Sequence, residues 1–74
     1  MNKLELQNKI LFNQFQQVYQ VLYPFLKNNN YDESAGKISG RYEDIKKKYI
    51  TEGMTPELKN EIYEFMDLLN FKNL

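Results

Sequence analysis

The sequence predicts a small all-α protein, an antiparallel three-helix bundle with a long first helix. Apolar residues recur at spacings of three and four, Pro and Gly interrupt this pattern at two places, and no segment alternates apolar with polar residues as a strand would. A chain of 74 residues provides one domain at most. We therefore expect residues 1–74 to form a single helical domain, with helices over about residues 2–26, 35–51 and 56–71.

The first helix is predicted from Asn2 to about Leu26, because its apolar residues fall on one helical face. That face consists of Leu4, Leu11, Phe15, Val18, Leu22 and Phe25. Pro24 lies inside the pattern and has no backbone N–H, so it either kinks the helix or ends it near Leu22. The Asn residues at positions 28–30 then end the segment, since Asn tolerates left-handed backbone.

The second helix is predicted from a narrow apolar seam that continues to about Thr51. The seam consists of Ile38, Tyr42, Ile45 and Tyr49. Asp32 or Ser34 is the expected N-cap. Gly36 and Gly40 weaken the first turns, so residues 34–40 are alternatively a loop.

The third helix has the clearest start, because Thr55 is a good N-cap and Pro56 suits the first helical position. Gly53 is the natural end of the helix before it. Residues 37–50 carry a net charge of +3 and residues 51–74 a net charge of −3. We therefore expect the second and third helices to pack antiparallel with their opposite charges adjacent.

The composition makes catalysis improbable. The chain has no Cys and no His, which removes cysteine nucleophiles, thiolate metal sites and the usual acid–base group at neutral pH. We expect no enzyme activity, no cofactor and no metal site. No targeting signal is evident, and the longest uncharged stretch, residues 10–26, holds five Asn and Gln residues and is too polar to span a bilayer. A cytoplasmic protein without membrane contact is the expectation.

The first helix suggests a protein-binding surface, because residues 10–26 carry no charge and are rich in aromatic side chains. A second apolar patch is expected on the third helix. The candidate interface residues are Phe12, Phe15, Tyr19, Tyr23, Tyr63, Leu68 and Phe71. Asn8 occupies a heptad a position, where a polar residue often fixes oligomeric state, so a homodimer is one form of this hypothesis. The alternative is that the first helix is simply the centre of the bundle.

These features favour a stoichiometric regulator, inhibitor or adaptor that binds a partner protein. The small size and the nine Asn residues are typical of an accessory protein of a phage or mobile element. The runner-up hypothesis is a helix-turn-helix-like DNA-binding regulator that contacts phosphates or an acidic partner through the second helix. Its contact residues would be Arg41, Lys46, Lys47 and Lys48. Nucleic acid is the less favoured partner, because the third helix is acidic and the net charge is zero.

Overall fold

The computed structural model describes residues 2–70, with side-chain surroundings for residues 2–68. It contains three helices, α1 (Lys3–Asn28), α2 (Asp32–Glu52) and α3 (Pro56–Met66), followed by a 3₁₀ turn (Asp67–Asn70). The helices pack against one another as an all-α three-helix bundle, which confirms the predicted fold class. The predicted end of the third helix, near residue 71, lies outside the described residues.

Helix α1 continues through Pro24 and ends at Asn28, so the proline does not end it near Leu22. At its start, the Asn2 side chain accepts a hydrogen bond from the Glu5 N–H at 2.8 Å and donates one to the Glu5 carboxylate at 3.2 Å. This reciprocal pair satisfies a backbone donor that the helix itself cannot pair. At its end, Asn30 adopts a φ of 65°, the left-handed conformation expected of this Asn run.

Helix α2 begins earlier than the sequence predicted, and residues 34–40 are helical. The prediction that Asp32 or Ser34 would cap α2 was wrong, because Tyr31 occupies the N-cap and makes no side-chain capping bond. The Tyr31 N–H instead donates to the Leu26 carbonyl at 2.8 Å, which forms a tight connection from α1. Burial of Ala35 and Ile38 against the bundle then outweighs the cost of the two nearby glycines.

Helix α3 starts as predicted. The Thr55 hydroxyl accepts a hydrogen bond from the Leu58 N–H at 3.1 Å, and Pro56 occupies the first turn. Gly53, with a φ of 77°, ends α2 and lies two residues before Thr55. The left-handed conformation is readily available to Gly, so this position explains the sharp turn between α2 and α3.

Helix α2 runs antiparallel to both neighbours. Opposite α1, Phe12 stacks on Tyr49 and Tyr19 stacks on Tyr42, so later residues of α1 meet earlier residues of α2. The α2–α3 packing brings opposite charges together, as predicted, with Lys48 3.1 Å from Glu61 and Arg41 3.9 Å from Glu64. All three helices contribute to one core, formed by Leu11, Phe15, Leu22, Leu26, Ala35, Ile38, Tyr42, Ile45, Leu58, Ile62 and Phe65.

Candidate protein-interaction site

The aromatic face of α1, predicted as a binding surface, is packed inside the bundle. Phe15 is wholly buried, with 0% of its surface exposed. Its ring lies 5.1 Å from the Tyr42 ring and 5.0 Å from the Phe65 ring, measured between centroids. The prediction that Phe15 contacts a partner was therefore wrong, because α2 and α3 both pack over this face and remove the ring from solvent.

The three neighbouring aromatic residues of α1 are partly buried in the same packing. Phe12 stacks on Tyr49 at 4.1 Å, and Tyr19 stacks almost parallel on Tyr42 at 3.9 Å with an interplanar angle of 6°. Tyr23 extends this row, with its ring 5.4 Å from that of Tyr19. These rings hold α1 against α2, so the aromatic enrichment of α1 has a structural explanation within one chain.

The other candidate interface residues are dispersed. Tyr63 is 50% exposed on α3, whereas Leu68 is partly buried in the 3₁₀ turn. Phe71 lies outside the described residues. Asn8 is partly buried near the start of α1, and its role in fixing an oligomeric state stays a prediction.

The four residues predicted to contact phosphates or an acidic partner, Arg41, Lys46, Lys47 and Lys48, make different contacts. Lys48 lies between two carboxylates, 3.2 Å from Asp44 and 3.1 Å from Glu61, and the hydrogen bond to Glu61, followed by that to Asp44, raises the pKa of Lys48. Lys46 lies over the Tyr42 ring, 5.9 Å from its centroid. Lys47 is exposed to solvent. Since the acidic residues of α3 occupy one side of this basic stretch, it does not present a uniformly positive surface.

An apolar groove lies at the end of the bundle where α1 passes into α2. We call it the hairpin groove, and its volume is about 660 Å³. It is lined by Leu22, Phe25, Leu26, Tyr31, Ser34, Lys37, Ile38, Arg41 and Leu68. Leu22, Leu26 and Ile38 form its buried floor. Cavities that bind small molecules or side chains are commonly of this size, with apolar walls and a few polar groups.

The hairpin groove exists because α3 is short. Helix α2 has 21 residues and α3 has 11, which correspond to lengths of about 31 and 16 Å. The Arg41–Glu64 ion pair shows that Arg41 of α2 lies beside the last turn of α3, which ends at Met66. Residues 32–40 of α2 and the adjoining part of α1 therefore extend beyond α3, and Leu68 of the 3₁₀ turn covers the edge of the space between them.

The groove walls expose aromatic residues to solvent. Phe25 on α1 is 47% exposed, and Tyr31 in the connection is 56% exposed. Aromatic side chains that are accessible beside a concave apolar surface are the residues that most often dominate protein interfaces. The groove therefore has the anchoring side chains that a binding site needs.

The charged residues that line the groove are both cationic. Lys37 lies 3.6 Å from Glu33, one turn before it on α2, and Arg41 lies 3.9 Å from Glu64. Both distances are near the outer limit of an ion pair, and all four side chains are substantially exposed. Such pairs contribute little to stability, so the two cations can exchange partners at low cost.

The sequence did not identify this groove. The apolar pattern places Phe25 in the stripe of α1, and it predicts no surface for Tyr31. The feature of the sequence that could indicate the groove is the presence of apolar residues on both sides of the Asn run. Phe25 and Leu26 precede this run, and Tyr31 follows it.

The outward face of α1 is the second unusual surface. Val21 is 63% exposed and Ile10 is 48% exposed, and the residues between them include exposed Asn and Gln but no charge. Free surfaces normally carry charged residues, and charge depletion is typical of interface centres. Part of the uncharged stretch at residues 10–26 therefore lies on this outward face, and packing in the core does not explain why that part lacks charge.

Among residues 2–70, the helices lack the combination of length and apolar character that crossing a membrane requires. Comparison with known proteins found no matching protein-family model, no similar curated protein and no similar solved structure.

Proposed function

We propose that this protein is a non-enzymatic interaction module that binds a segment of a partner protein in the hairpin groove. It would act stoichiometrically in the cytoplasm, as a regulator, inhibitor or adaptor. The observation that carries the proposal is an apolar groove with exposed aromatic walls in a chain that lacks His and Cys. The surface assigned to the partner thus moves from the middle of α1, where the sequence placed it, to the end of the bundle.

The energetics of the groove support this function. Full burial of an exposed Phe or similar side chain contributes about 1.5–3 kcal/mol. Phe25 and Tyr31 are each about half exposed, so covering both contributes roughly 1.5–3 kcal/mol in total before the buried floor is counted. Two such anchors in one site are typical of the few residues that supply most of the affinity at an interface.

The proposal is tested by affinity capture with two matched variants. Phe25→Asp places a charge in the groove wall, and Ile50→Asp places the same charge on an exposed apolar residue at the far end of α2. We expect the wild type and Ile50→Asp to capture the same protein from a lysate of the source cells, and Phe25→Asp to lose it. Circular dichroism checks that both variants keep the wild-type helicity. Equal capture by all three proteins would contradict a role for the groove.

A second copy of the chain is the partner that the outward face of α1 supports. The exposed, charge-free surface around Val21 can meet its own copy without electrostatic repulsion. Light scattering from about micromolar to about millimolar concentration measures the molar mass. A dimer that Val21→Asp dissociates would support this role, whereas a monomer throughout the series would leave the hairpin groove as the proposed binding surface.

The structure favours protein over DNA as the partner. Lys48 and Arg41 each lie beside a carboxylate of α3, and a polyanion placed against α2 would also meet those acidic groups. We therefore expect no shift of a labelled DNA duplex by the wild-type protein at low salt.

A further inference from the structure

We infer that a second copy of this chain packs antiparallel along the outward face of α1, with Ile10 of each copy opposite Val21 of the other. This pairing rests on the second-copy role proposed above and specifies how the two copies meet. Two observations carry it: the order of the side chains along the exposed face, and the position of a lysine at one end of that face.

The exposed apolar residues of α1 form a single row together with two glutamines. We call this row the α1 stripe, and it consists of Leu6, Ile10, Gln14, Gln17, Val21 and Phe25. All six residues are exposed, and at 100° per residue they lie within an arc of about 100° on the helix surface. The stripe is about 29 Å long, so it follows most of the length of α1.

The order of residues in the α1 stripe is the same from either end. Two apolar residues stand at each end and two amides stand in the middle. When a second copy is turned end for end, Ile10 therefore meets Val21 of the partner copy. Gln14 meets Gln17 of the partner copy beside the two-fold axis, where each amide can donate and accept a hydrogen bond. A two-fold interface requires a surface that is complementary to itself in this way.

The residues at the ends of α1 favour antiparallel over parallel packing. Lys3 is exposed and lies on the same side of the helix as Leu6 and Ile10, three and seven residues before them. In a parallel pair, Lys3 of the two copies would lie side by side and repel. In an antiparallel pair, Lys3 lies opposite the uncharged Asn28 of the partner copy, and the two helix dipoles also oppose each other.

The size of the α1 stripe fits a weak dimer. Two helices that touch over about 29 Å, each about 10 Å wide, cover roughly 300 Å² on each copy. Stable complexes bury about 800 Å² on each partner, and smaller interfaces are typical of transient association. We therefore expect a dissociation constant between about 10 μM and about 1 mM.

The arrangement is tested with engineered cysteines, because the chain has none of its own. The Ile10→Cys and Val21→Cys proteins are mixed in equal amounts at about 1 mM, oxidised in glutathione buffer, and the disulfide-linked dimers are identified by mass. The antiparallel pair brings residue 10 of one copy beside residue 21 of the other, close enough for a disulfide, and keeps the two residues 10 about 17 Å apart. We expect the mixed dimer to exceed each single-variant dimer by about tenfold or more, where random pairing gives about twofold.

The matched control places the second cysteine outside the α1 stripe. Ile50→Cys changes an exposed apolar residue near the end of α2, and its mixture with Ile10→Cys should show no excess of mixed dimer. Light scattering gives a second measurement, in which Val21→Asp should raise the dissociation constant by about tenfold or more and Ile50→Asp should leave it unchanged. If Val21→Asp lacks the wild-type helicity, Gln17→Glu replaces it, because it brings two like charges together near the two-fold axis.

The outcomes separate this inference from the functions proposed above. If the wild type dimerises and Val21→Asp dissociates the dimer, but the mixed disulfide shows no excess, the antiparallel pairing is wrong and the second-copy role stands. If the wild type stays monomeric up to about millimolar concentration, both are wrong, and the hairpin groove is judged by its own capture experiment. A dimer that Val21→Asp and Ile50→Asp weaken equally has its interface elsewhere, which also overturns both.

Discussion

Replacing Phe15 by Ala tests whether the aromatic face of α1 is core or binding surface. Phe15 is wholly buried and packs against rings of both α2 and α3. Truncation of a buried Phe to Ala costs about 3–5 kcal/mol, because the transfer energy is lost and a cavity remains. A domain of 74 residues has a free energy of unfolding of roughly 4–11 kcal/mol. The variant should therefore lose a large fraction of its stability.

The assay is urea denaturation followed by far-UV circular dichroism. With an m-value of about 1 kcal/mol/M for so small a protein, the midpoint should fall by about 3 M or more. Tyr63→Ala is the control, since Tyr63 is half exposed and its loss should change stability by no more than about 0.5 kcal/mol. If Phe15→Ala is already unfolded in buffer, Phe15→Leu gives a measurable transition, because it removes the ring and keeps an apolar side chain.

A small effect would refute this reasoning. If Phe15→Ala costs less than about 1 kcal/mol with an unchanged m-value, the ring is not packed between α2 and α3. The middle of α1 would then be available to a partner, as the sequence alone suggests. The hairpin groove would no longer be the favoured binding surface.

Three further predictions concern an ion pair, a ring stack and two glycines. The pKa of Lys48 is raised chiefly by its hydrogen bond to Glu61, so this pairing stabilises the fold fully below the ordinary lysine pKa of about 10.4 and is lost as the pH rises through the raised pKa. Urea midpoints of wild type and Lys48→Gln should therefore differ by a constant amount from pH 7 to 9. The difference should disappear above the raised pKa of Lys48. A double-mutant cycle on Tyr19 and Tyr42, each changed to Leu, should give a coupling energy of about 0.5–1.5 kcal/mol, and additivity would mean the rings do not stack. Thermal melting should show that Gly40→Ala, on an open face of α2, is more stable than wild type by about 0.5–1 kcal/mol. Gly53→Ala, at a φ of 77°, should be less stable by about 1 kcal/mol or more. The reverse order would contradict the helical start of α2.

The helices were predictable because each apolar pattern and most of its boundary residues act locally. Thr55 and Pro56 specify the start of α3 through groups a few residues away, and the structure uses them as expected. The α2–α3 ion pairs followed from net charge along the chain. The start of α2 was not predictable in the same way, because burial of Ala35 and Ile38 against other helices outweighs the glycine cost.

The position of the candidate binding surface was not predictable from the sequence. The sequence shows that the aromatic residues of α1 are numerous, but it cannot show which of them α2 and α3 cover. Phe15 and Phe25 both belong to the same predicted stripe, yet one is wholly buried and the other is half exposed. The difference arises from where α3 ends, and helix ends are the least determined feature of a periodic pattern.

The short α3 also divides the molecule into two ends of unequal rigidity. At the end that holds Phe15 and Phe65, three helices enclose the rings, so backbone amides there should exchange with solvent only when the whole chain unfolds. At the end with Leu26 and Ile38, the described residues form two helices and one turn, and amides should exchange through local opening at a lower free energy. Occupation of the groove would then slow exchange at that end alone, so hydrogen exchange would map the bound segment without any variant of the protein.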